Sequence, residues 1–331
     1  MPTFNGNMLC LARQIRKKSQ DDIIKNSGGL LTQGTLSKIE RGRIEPSEEL
    51  VEKLCKILNF RSSFFFETSY LRQPPVSYHR HRSKLGAKNL SSIHGTAEVI
   101  RLALKKLLQN LDLEPTGPQL PTFDIDQFDG DAEDAAKFTR QKLRVPRGPV
   151  RNLGRIIEAC GIVVVPLGFG SELIDGFCQH EDENLPSIIF IRKDAPLDRL
   201  RFSLAHEMAH LSIHDVPNPE QEIQANRFAS EFLMPADDIR DDLRDMSLQK
   251  AMELKLHWGV SMQSIVYRAW SLGRITDKRF KNLFIEMSRR GWRKTEPIEI
   301  KNFSENFSTI QNIISAHKNE LGYSNDELAD W

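Results

Sequence analysis

The most constraining feature of this chain is the run His206-Glu207-Met208-Ala209-His210. On a helix, residues four apart lie about 40° apart around the axis, so both imidazoles aim at one point. Glu207 stands on the adjoining flank, about 60° from His210. Two neutral imidazoles and one further protein donor leave a fourth tetrahedral position for water, the arrangement of a catalytic zinc site. Such a metal brings the pKa of its water toward neutrality, and Glu207 is placed to take the proton as general base. Phe202, Ala205, Ala209 and Ile213 form an apolar stripe along the same stretch. The motif is therefore expected on a helix starting near Pro196 and packed into an interior.

The third ligand has to come from further along the chain. His214 lies close to the helix end before Pro217, where an imidazole can offset the carboxy-terminal dipole. A three-histidine spacing would place the next ligand at 216, and that residue is Val216. Glu222 is the better candidate, because it opens a second amphipathic helix with Ala225, Phe228, Ala229, Phe232 and Leu233 as its stripe. Glu222 lies at the edge of that stripe, whereas Glu231 falls about 180° away and is expected to face solvent.

The stretches RLRFSLAHEMAHL and EIQANRFASEFLMP, with LIDGF and PSIIFI upstream, resemble the ImmA/IrrE metallopeptidase family. WGVSMQSIVYRAWSLGRITDKRF and LGYSNDELADW extend the likeness toward the carboxy terminus. The resemblance implies zinc as cofactor, His206, His210 and Glu222 as its ligands, and Glu207 as catalytic base. It also implies a protein substrate, since members of that family cleave Xre-type repressors. Ser187 to Ile191 is read as an edge strand for pairing with substrate. Tyr78, His180 and Tyr267 are candidate donors to the oxyanion, with no choice made among them.

The first 70 residues read as short capped helices. Met8, Leu9, Leu11, Ala12 and Ile15 form one stripe. Ser19 can cap a second helix ended by Gly28-Gly29, and Thr32 a third with Leu36 and Ile39 inward. A fourth, after Pro46-Ser47, carries Leu50, Val51, Leu54, Cys55 and Leu58. LARQIRKKSQDDI and LTQGTLSKIERGRIEPSEELVEKLCKIL resemble the helix-turn-helix domain of the Xre/lambda-repressor family. In that family the third helix enters the major groove of double-stranded DNA. Carried over by position, Gln33, Thr35 and Lys38 would read bases, Gln20 would touch phosphate and brace Gln33, and Arg43 would sit near a phosphate. Two departures stand out. The segment between Gln20 and Gln33 is about two residues longer than the usual turn, and Gly34 offers no side chain.

The net charge of +1 conceals segregation. Residues 72 to 106 hold eight bases (Arg72, Arg80, Arg82, Lys84, Lys88, Arg101, Lys105, Lys106) and the acid Glu98. Residues 112 to 134 hold eight acids and no base, with Pro115, Pro118 and Pro121 suited to an exposed connection. Residues 1 to 70 carry 11 bases against 8 acids, so phosphate contacts alone predict weak, salt-sensitive DNA affinity. Homodimerisation or the adjoining basic stretch would strengthen it. Cys10, Cys55, Cys160 and Cys178 form no CxxC pair and read as reduced, mostly buried thiols. With no apolar run of membrane-spanning length and no signal-peptide core, a cytoplasmic location and no membrane partner are expected.

The expected fold class is α+β and mostly helical. Residues 1–70 are assigned to an all-α helix-turn-helix domain and 71–134 to a basic helical segment with an acidic linker. A zincin-like metallopeptidase domain with a small sheet follows over 135–250, and a helical region over 251–331. In that last region Trp258, Met262, Ile265, Val266, Ala269 and Trp270 read as core, and Ser324 and Glu327 as a capping box. Arg289, Arg290, Arg293 and Lys294 around Trp292 leave a second DNA contact open there. Two rivals to a DNA-binding zinc endopeptidase stay open at this level. One is a regulator whose zinc domain is sensory or structural, and the other a proteolytic effector of a mobile-element or defence module.

Overall fold

A computed structural model describes residues 3–68, 86–111, 114–182, 185–214, 216 and 218–329. Arg72, Tyr78, Arg80, Arg82, Lys84, Asp112, Pro217 and Trp331 lie outside the described residues. The chain forms two compact units, one made of Met1–Asp112, Phe169–Leu173 and Gln311–Trp331, the other of Leu113–Gly168 and Ile174–Ile310.

In the first unit, α1 (Gly6–Ile15), α2 (Gln20–Asn26), α3 (Gln33–Glu40) and α4 (Glu48–Leu58) follow the predicted caps. Ser19 and Asp22 close a reciprocal capping box on α2, while Thr32 and Ser47 accept from the third backbone N–H of α3 and α4. Leu9, Ile23, Leu36, Ile39, Leu54 and Leu58 meet in one core.

The described part of the basic stretch is helical. It supplies α5 (Ala87–Leu108), whose Leu102 packs on Met8 and Leu11 of α1. A Cβ on Gly95 would stand 2.9 Å from Ile15 Cγ1, so the missing side chain lets α5 lie close to α1. Arg101 is buried against Glu98 at 2.7 Å, and Lys106 pairs with Glu67. Near the chain end, Ser324 and Glu327 form the expected capping box on Asn325–Ala329.

The second unit begins inside the acidic stretch, which is more than a connection. Phe123 N donates to Ser212 O at 3.0 Å, Ile125 is buried, and Asp131 caps α6 (Ala132–Lys142). Asp124 and Asp131 stand at cap positions, where their carboxylates accept from the backbone N–H groups of Asp126 and Glu133. After α7 (Leu153–Ala159) come three strands, β1 (Val163–Leu167), β2 (Gly176–Gln179) and β3 (Ile188–Arg192). Their order is β1-β3-β2, with β1 parallel to β3 and β2 antiparallel to it. The strand expected at an edge is therefore the central one. Every residue of β3 is buried, as an unbroken Ile188-Ile189-Phe190-Ile191 run requires when both faces are covered. β2 is an edge strand instead.

α8 (Leu197–Ile213) packs against β2, β3 and α9 (Gln221–Leu233), and α9 packs in turn on α6. Phe228 and Phe232 are wholly enclosed, each contributing roughly 1.5–3 kcal/mol by burial. α10 (Leu248–Trp258), α11 (Met262–Ser271) and α12 (Asp277–Arg289) complete the unit. Trp258, Met262, Ile265, Val266 and Ala269 are core, but Trp270 is 36% exposed and sits in a surface cluster with Tyr267 and Phe280. Arg290 stacks on Trp292 and pairs with Glu286, and Arg293 lies over Phe284.

Glu231 does not face solvent. It is 1% exposed and paired with Arg268 of α11, itself fully buried. The helical wheel misplaced it because α9 is covered on this side too, and a partner cation makes burial of the carboxylate tolerable. Among the described residues, no helix is long and apolar enough to cross a membrane.

Candidate metal centre

α8 and α9 bring three donors to one point. His206 Nε2 and His210 Nε2 are 3.1 Å apart, and the Glu222 carboxylate straddles them, with Oε2 at 3.7 Å from His206 and Oε1 at 3.6 Å from His210. A zinc ion with ligands at roughly 2.0–2.1 Å in a tetrahedron requires donor separations of about 3.3–3.4 Å. The observed separations bracket that value, so the residues fit the ion. Among the described residues, His206, His210 and Glu222 are a donor group of this kind, mutually within 4.8 Å.

The helix period explains His206 and His210, while Glu222 reaches them through the packing of α9 on α8. Other side chains hold the donors in place. Asn226 meets His206 Nδ1 through its Oδ1 at 3.2 Å and donates through Nδ2 to Glu222 O at 2.7 Å. His214 is buried and faces His210 Nδ1 at 3.0 Å, so it does more than neighbour a helix end. Burial, then the neighbouring His206, His214 and His180, drives the His210 pKa down to about 2. Burial lowers that of His214 as well, with the Gln224 hydrogen bond acting in the opposite sense. Both imidazoles are therefore neutral, the form that ligates metal.

Glu207 is buried between α8 and β2. Burial first, then the Glu222 carboxylate, lifts its pKa to about 8. The Cys178 thiol of β2 hydrogen-bonds this carboxyl, and burial followed by the Glu207 charge holds the thiol well above its usual range. Of the four cysteines only Cys160 is fully buried; Cys10, Cys55 and Cys178 are half-buried, and all four are free thiols. Sequence reasoning missed Cys178, Asn226 and Gln224 as neighbours of the site. The i, i+4, i+8 run of His206, His210 and His214 was a legible signal, whereas Cys178 comes from a strand too short to stand out.

Among the oxyanion-donor candidates, His180 follows β2 and acts electrostatically on both His210 and His214. Tyr267 belongs to the surface aromatic cluster on α11, and Tyr78 lies outside the described residues.

In the first unit, Gln33 opens α3 and is exposed, as are Lys38 and Arg43. Thr35 is half-buried, its hydroxyl 2.9 Å from that of Thr32. Gln20 donates to Glu40 Oε2 at 2.6 Å instead of bracing Gln33, since Glu40 also holds Arg13 at 2.8 Å and offers the stronger, charged acceptor. Gln20 and Gln33 nonetheless share a cleft of about 510 Å³ with Arg13, Lys17, Lys18 and Lys88. Gln14 and Asp21 line it too, and four bases against one acid leave a surface suited to an anionic backbone.

Comparison with known families agrees with both halves. Residues 157–269 match the IrrE N-terminal-like domain, a span that takes in α8, α9 and all four residues His206, Glu207, His210 and Glu222. Residues 11–65 match the helix-turn-helix family. Comparison with curated proteins finds no match. The chain thus carries the two domains its sequence resembles, an amino-terminal Xre-type helix-turn-helix domain and an IrrE N-terminal-like peptidase domain of the ImmA/IrrE kind.

Proposed function

We propose that this protein is a DNA-binding, zinc-dependent endopeptidase of the cytoplasm that cuts a regulatory protein, a helix-turn-helix repressor. In this reading His206, His210 and Glu222 are the metal ligands and Glu207 is the general base. The observation that carries it is the convergence of two imidazole Nε2 atoms and a carboxylate on one point, with Glu207 buried alongside.

When bound, zinc supplies a Lewis acid that polarises the scissile carbonyl and acidifies a water molecule. The chain supplies everything else. Neutral His210 offers a lone pair without a competing proton, and Asn226 ties the orientation of His206 to the backbone at Glu222. Glu207, buried beside the three donors, accepts a proton on its carboxylate and passes it to the departing amine nitrogen. The edge strand β2 pairs with an extended substrate segment through main-chain hydrogen bonds. His180, at the end of that edge, donates to the developing oxyanion.

The helix-turn-helix domain supplies location. Gln33, Thr35 and Lys38 read base edges, while Gln20 and Arg43 meet phosphates. With an excess of only three bases over residues 1 to 70, a second copy on a two-fold-related half-site raises the affinity, so the protein acts as a homodimer.

Glu207→Gln tests the reading. The variant is expected to retain zinc and duplex DNA binding and to lose processing of repressors encoded beside it by at least 10²-fold. Processing in cells at the wild-type rate would refute the mechanism.

A further inference from the structure

His210 is oriented by a chain of three side chains that ends in an amide. Gln224 Oε1 can only accept hydrogen bonds. It receives one from Asn218 Nδ2 at 3.1 Å and faces His214 Nε2 at 2.9 Å. His214 therefore carries its proton on Nε2. A neutral imidazole has one donor and one acceptor nitrogen, so His214 Nδ1 is a bare acceptor. That atom faces His210 Nδ1 at 3.0 Å. Two bare nitrogens at such a distance would repel, so the proton between them belongs to His210 Nδ1. The lone pair on His210 Nε2 is then left pointing at His206 and Glu222.

We infer that His214 and Gln224 are positioning residues that lock His210 into the Nδ1–H tautomer and so present its Nε2 to the metal. The inference rests on the metal-site reading above and deepens it. Free neutral histidine prefers the opposite tautomer, with the proton on Nε2, so the protein has to impose this one through the hydrogen bond at the other ring nitrogen. His210, His214 and Gln224 are each at most 8% exposed, which denies water the chance to replace any link. The geometry follows from the fold. His214 is the C-cap of α8, four residues beyond His210, and Gln224 comes from α9, two positions after Glu222. One helix pair thus supplies both the donors and the group that sets the tautomer of one of them. A histidine serving only to offset the helix dipole would be protonated on both nitrogens and could not accept from His210.

The test uses full-length protein labelled with 15N at histidine. In the metal-free protein, long-range 1H–15N correlation should show His214 protonated at Nε2 and His210 at Nδ1. Finding His210 protonated at Nε2 overturns the inference. Zinc affinity, read by competition with a chelator, should fall about 10- to 100-fold in His214→Phe and in Gln224→Leu. Gln224→Glu keeps an acceptor for His214 Nε2 and should bind zinc close to the wild-type level. Wild-type affinity in Gln224→Leu overturns the inference, whatever the fate of the His214→Phe fold. If a His206→Ala, His210→Ala double variant held zinc as tightly as wild type, the metal-site reading itself would fail. The tautomer measurement separates the two failures, because it needs no metal.

Discussion

A Cβ on Gly176 would stand 3.3 Å from Cγ of Glu207, with Ile191 Cδ1 at 3.0 Å and Phe190 O at 3.1 Å on the same side. The edge strand β2 and the motif helix α8 approach closely because this residue has no side chain, and the Phe190 carbonyl cannot swing away. Gly176→Ala should leave His206, His210 and Glu222 in place while pushing Glu207 by a few tenths of an ångström. Repressor cleavage is expected to drop about tenfold at unchanged zinc content, since small misplacements of a reacting group are costly. Equal turnover by the two proteins would show that the approach does not position Glu207.

Glu231 and Arg268 tie α9, which carries Glu222, to α11. Arg268 Nε also donates to Met234 O at 3.1 Å, and Glu231 accepts from Ala236 N at 3.2 Å. Arg268→Leu strands a buried carboxylate and should destabilise the second unit by about 3–5 kcal/mol. Adding Glu231→Leu removes the stranded charge, so the double variant is expected to recover part of that loss. Urea unfolding followed by tryptophan fluorescence in a Trp331→Phe background reads this unit, because the other three tryptophans, Trp258, Trp270 and Trp292, belong to it. A double variant less stable than Arg268→Leu would contradict the account.

Gln33 and Arg43 should fail differently. Gln33→Ala is expected to cost about 1–3 kcal/mol on the preferred operator and little on unrelated duplexes. Arg43→Ala should weaken binding to all sequences and reduce the slope of log K against log salt by about one. Fluorescence anisotropy of the full-length protein over a salt series distinguishes them. Identical behaviour of the two variants would remove Gln33 from base readout.

The amino-terminal helices were legible almost residue by residue, because each boundary is a local event. Ser19, Thr32 and Ser47 cap through bonds three residues long, and the apolar stripes repeat within a single helix. The errors came where distant segments meet. The apolar run of β3 reads as an edge strand because it does not say which strands flank it, and β2 is four residues long with little pattern of its own. Helical spacing places Trp270 with the core, yet it stands in a surface cluster with Tyr267 and Phe280.

The sequence by itself determined the motif helix and the aim of His206 and His210 at one point, because helical periodicity suffices for these, and it singled out Glu222 as a candidate that only the packing of α9 on α8 brings to them. Tertiary structure alone decided the surroundings that make the donors usable. Asn226 at His206, Gln224 behind His214, Cys178 beside Glu207, and Arg268 opposite Glu231 are each set by how one element packs on another. Burial acts in the same way. No local pattern in Glu207 or Glu231 announces that burial raises the proton affinity of both carboxyls, or that a cation 37 residues away is matched to one of them. Desolvation depends on everything that surrounds a charge, and only the assembled fold specifies that.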